Sequence, residues 1–182
     1  GTLSGKTLMR YDKTIFCTQD IDTFRQLRPI FAEKGELLVN MGYVHEKALM
    51  EMLDRLGSAH TEPLSGNLLE SMLEDADELD DYGFLLSVFS ESLAEYGCRV
   101  QVKSFSPEQL ATVYSINPDG ELKRDIKRSK ETADSMFSDM LDAFEEEIEE
   151  EASAALYLNS RSHLIRKLSA VSDKEKLRVF SQ

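Results

Sequence analysis

The sequence predicts a mixed α/β protein in two parts. A small three-layer α/β unit with a short parallel sheet occupies residues 1–66, and a helix-rich α+β domain with a small sheet occupies 67–182. Three observations carry this reading. Short apolar runs alternate with single amphipathic helices up to Leu64, a pattern that favours parallel strands joined by helical crossovers. After Ser65–Gly66 the chain turns acidic and helical. Beyond Gly97, several short segments alternate or cluster in the manner of strands.

Taken in order, Thr14–Thr18 reads as a short buried strand. Asp20 or Asp22 caps the following helix, because a carboxylate accepts from its free N–H groups. Phe24, Leu27, Ile30 and Phe31 recur at helical spacing, Pro29 predicts a kink or altered turn, and Gly35 ends the helix. Leu37–Asn40 is the second strand. A second helix follows from about Val44 to Leu56, with Leu49, Met52, Leu53 and Leu56 on its apolar stripe and Gly57 as its stop. A third strand is placed near Ala59 to Leu64.

In the second part, residues 67–96 read as one or two acidic helices broken near Asp80–Gly83 and closed by Gly97. Cys98–Lys103 alternates as a half-buried strand, Pro107 starts a short helix or turn, and Thr112–Ile116 is another strand. Asn117–Gly120 signals a turn. The longest helix is expected over 121–150, where Ile126, Ala133, Met136, Phe137, Met140, Leu141, Phe144 and Ile148 share a stripe. Its bases crowd the first half and its acids the last, against the helix dipole. Antiparallel packing against a second copy would set each basic half beside an acidic one. Ala154–Leu158 then reads as a strand, Asn159 breaks it, and an amphipathic helix follows. The sequence stops two residues after Phe180, within what reads as a further helix, so the domain is expected to continue elsewhere.

Composition narrows the function. With 41% hydrophobic and 30% charged residues, the chain is globular in character, and its longest apolar stretch is too short to span a bilayer. Net charge is 21 − 34 = −13, which argues against nucleic acid. Residues 70–95 hold nine acids and no Lys or Arg, whereas 161–178 hold six bases against two acids. Such patches are usually solvated, but opposite ones also meet across interfaces. Cys17 and Cys98 make no metal spacing, and a reducing cytoplasm is the simplest setting.

The sequence offers little chemistry. His45, His60 and His163 lack any paired ligand spacing, no GxSxG elbow is present, and no glycine-rich phosphate loop occurs. Met41–Gly42–Tyr43 follows a strand and precedes a helix, the position at which α/β proteins hold ligands.

Two stretches carry a family resemblance. Asp22–Pro29 through Gly35, with Leu38–Asn40 and Gly42–Val44, is similar to the end of the middle domain of the ninety-kilodalton heat-shock chaperones (the heat shock protein 90 family). Leu156–Leu168, a strand leading through Asn159 to a helix, resembles that family's C-terminal-domain pattern in its short bacterial branch, the high-temperature protein G type. Cys98–Pro107 fits between them, and the order matches along most of the chain. His163–Leu164 stands where the family often has Asn-Pro or His-Pro, so that turn is expected to differ.

The resemblance implies a middle-to-C-terminal piece of an ATP-dependent chaperone, with the ATPase site in an upstream domain and neither cofactor nor catalytic residue here. ATP is then expected for the full-length protein. Its implied partners are unfolded client proteins and a second copy in a homodimer, with no nucleic acid and no membrane. Candidate client or partner positions are Met136, Met140, Phe144, Leu164, Leu168, Leu177 and Phe180. The rival is a small α/β enzyme or ligand-binding domain with its site at the strand ends, near Thr18 and Asn40–Tyr43. A third reading is an acidic adaptor with a basic partner.

Overall fold

A computed structural model describes Leu8 and residues 10–42, 44–57, 59–116 and 154–181. The long-helix segment 121–150, with its antiparallel pairing, lies outside the described residues. The fold is mixed α/β, with one small parallel sheet and a second, mixed sheet. The chain divides into two compact units, Gly1–Leu69 and Glu70–Gln182.

In the first unit, β1 (Ile15–Thr18) lies between β2 (Leu37–Asn40) and β3 (Thr61–Pro63), parallel to both. All four β1 residues are buried, which is why this strand reads as a continuous apolar run. Its side chains alternate between two helices. Phe16 meets Phe31 of α1 (Ile21–Glu33) edge-on at 5.2 Å between ring centroids. Ile15 and Cys17 pack with Met50 and Leu53 of α2 (Val44–Arg55). The helices therefore cover opposite faces of the sheet.

Asp20 caps α1 as expected, accepting from the N–H groups of Asp22 at 3.4 Å and Thr23 at 2.6 Å. The helix continues through Pro29 to Glu33, although the Arg25 carbonyl there loses its usual donor. Gly35, at φ +67°, ends it in the left-handed conformation a glycine adopts without strain.

The α2 stripe differs from expectation. Met50 and Leu53 are buried, whereas Leu49, Met52 and Leu56 are exposed. Apolar residues occupy so many positions of this helix that two overlapping stripes exist. Docking against β1, not periodicity, selects between them.

Between α3 (Gly66–Met72) and the next full helix the acidic stretch is more broken than its composition predicts. A two-residue strand, β4 (Glu74–Asp75), is followed by a 3-10 turn over Leu79–Tyr82, and only then by α4 (Gly83–Leu93). The Glu74–Asp75 pairing depends on β5 (Cys98–Ser104), a partner distant in sequence. Beyond β5 come β6 (Thr112–Ile116) and β7 (Ala154–Asn159), and the sheet order is β4-β5-β7-β6. Strands β5 and β7 are parallel, and the two outer pairings are antiparallel.

One face of this sheet presents Val100, Val102, Leu156 and Leu158. They pack with Leu85, Val88 and Phe89 of α4, Ile165 and Leu168 of α5 (His163–Ser169), and Leu177 of α6 (Lys174–Ser181). Among the described residues no helix is long and apolar enough to cross a membrane.

Candidate functional site

The strand ends of the first unit hold the polar groups that a small-molecule site would need. The Asn40 Oδ1 accepts from the Gly42 N–H at 2.9 Å, closing a turn directly after β2. Thr18 Oγ1 accepts from the Asp20 N–H at 3.2 Å, and the Thr18 carbonyl takes the Met41 N–H at 2.7 Å. Gly42 is required by close approach, since a Cβ there would stand 2.8 Å from the Gln19 carbonyl oxygen. Asp20 already fills the start of α1 with a carboxylate, and the Thr23 hydrogen bonds hold it below the ordinary carboxylate range. An anion would meet negative charge at that position. These side chains build the turns that join strands to helices, and Tyr43 lies outside the described residues.

In the second unit the polar centre is Asn159, the last residue of β7 and fully buried. Its Nδ2 donates to the carbonyls of Phe105 at 2.9 Å and Leu110 at 2.8 Å, while Oδ1 accepts from Phe105 N–H at 3.2 Å and Arg161 N–H at 3.0 Å. The sequence marks Asn159 as a strand breaker. It does end the strand, but as a buried stitch that ties the 105–110 loop to the β7–α5 junction. Arg161 then spreads its guanidinium over Ser104 Oγ at 2.8 Å, Ser106 Oγ at 3.2 Å and Glu74 Oε2 at 2.7 Å.

Beside this junction, Glu70 receives Arg99 at 2.6 Å and the Tyr157 hydroxyl at 3.2 Å, and Lys103 reaches Asp75 at 2.8 Å. Burial, followed by the Glu70 charge and its hydrogen bond, pushes the Tyr157 phenol up to about 12. Each cation here has a carboxylate and each carboxylate a cation. The cluster is self-neutralised and fastens residues 70–75 to the sheet.

Among the described residues no nucleophile is joined to an activating base. Burial pushes the Cys17 thiol up to about 11, which leaves little thiolate at neutral pH. Among the described residues no group of three or more His, Cys, Asp or Glu could hold a metal ion. His60 pairs loosely with Asp54, at 3.8 Å on the surface.

The candidate partner positions separate into classes. Leu168 and Leu177 are core residues of the second unit, at 6% and 0% exposure, and in this fold are not available to a partner. Leu164 and Phe180 face solvent at 47% and 59%, and Val179, which the periodicity does not single out, is 73% exposed. Met136, Met140 and Phe144 lie outside the described residues. Sequence reasoning also missed Leu79 and Phe84, both exposed. Their signal was an apolar side chain at each end of the Asp80–Gly83 break.

No protein-family model matches the chain, and no curated protein matches it.

Proposed function

We propose that this chain is a middle-to-C-terminal piece of a cytoplasmic chaperone of the heat shock protein 90 type, and that it acts by binding. The observation that carries the reading is the junction in which β7 passes through buried Asn159 into α5, in a second unit preceded by a parallel α/β unit. This is the order of elements on which the family resemblance rests. Leu164, Val179 and Phe180 are the positions offered to unfolded client or to a second copy. ATP belongs to the full-length protein, at a site upstream of this piece.

Hydrogen exchange on the chain with a reduced, alkylated and permanently unfolded protein tests the reading. The expected result is slowed exchange over residues 163–168 and 174–181, together with blank ATP turnover. Unchanged exchange, or robust ATP hydrolysis by this piece, would overturn it.

A further inference from the structure

We draw no further inference here: the strongest candidate, the apolar stripe that Leu49, Met52 and Leu56 leave exposed along α2 of the first unit, carries nothing because nothing in the structure shows what covers it.

Discussion

The Asn159 side chain and the Phe105 backbone hold each other from both sides: Nδ2 donates to the Phe105 carbonyl at 2.9 Å, and the Phe105 N–H donates back to Oδ1 at 3.2 Å. Fifty-four residues of sequence are closed by this ring of two hydrogen bonds inside a fully buried site. Asn159→Ala would strand the Phe105 N–H and the Leu110 carbonyl, among others, without partners. Each buried polar group left unpaired costs about 1–3 kcal/mol, so a loss of about 3 kcal/mol or more is expected in urea unfolding. Asn159→Asp keeps both acceptor bonds but turns a carboxylate toward two carbonyls. Its pKa should rise in the folded state, so its destabilisation should ease as pH falls below that folded pKa.

Leu177 and Phe180 lie on one short helix and should behave oppositely. Leu177 is fully buried between α4 and the sheet, so Leu177→Ala should cost about 2–5 kcal/mol. Phe180 is 59% exposed, and Phe180→Ser should change stability by less than about 0.5 kcal/mol. Thermal unfolding of the two variants beside the parent chain separates core from surface directly.

The α4–α6 contact should be sensitive to acid. Hydrogen bonds from Lys174 at 2.6 Å and then Arg178 at 2.8 Å hold the Glu91 carboxyl below its ordinary range. A depressed folded pKa gives stability that is present above the unfolded carboxylate value, about 4.3, and is lost as pH falls through the folded value. Asp20 and Asp173 are lowered by hydrogen bonds at the starts of α1 and α6, and act in the same direction. Acidification also relieves the repulsion of a −13 chain, so the raw pH profile mixes two signs. Melting temperatures of the parent chain minus those of Glu91→Gln isolate the first. That difference should be constant above the unfolded carboxylate value and shrink as pH falls through the lowered folded value.

Gly42 should not tolerate alanine. The added Cβ would meet the Gln19 carbonyl oxygen at 2.8 Å and Asn40 Oδ1 at 3.1 Å, so backbone must move. A cost of about 1–3 kcal/mol is expected in chemical denaturation. Gly57→Ala differs in kind: nothing stands within 4 Å, and only the strain of φ +64° opposes it.

Much of this fold was legible because local chemistry and tertiary role coincide. Thr112–Ile116 and the start of β5 at Cys98 follow from alternation bounded by turns, and α1 lies between a capping Asp20 and Gly35. What escaped depends on partners distant in sequence. The two residues of β4 become a strand only because Ser104 and Lys103 lie opposite them. Met50 was separable from Met52 only once β1 was in place. Asn159 was visible as a break, but its burial requires the 105–110 loop to fold over it. The exposed apolar positions were harder still, because Leu164, Leu168, Leu177 and Phe180 all satisfy the same periodicity although two of them are core.

The proposed function has unfolded polypeptide bound through the exposed side chains of Leu164, Val179 and Phe180. Light scattering by a thermally unfolding model enzyme, with equimolar chain present and no nucleotide, is the decisive measurement. The chain should suppress aggregation, and Leu164→Ser combined with Val179→Ser and Phe180→Ser should largely remove the effect while leaving the melting temperature unchanged. Aggregation that proceeds equally with and without the chain would contradict it.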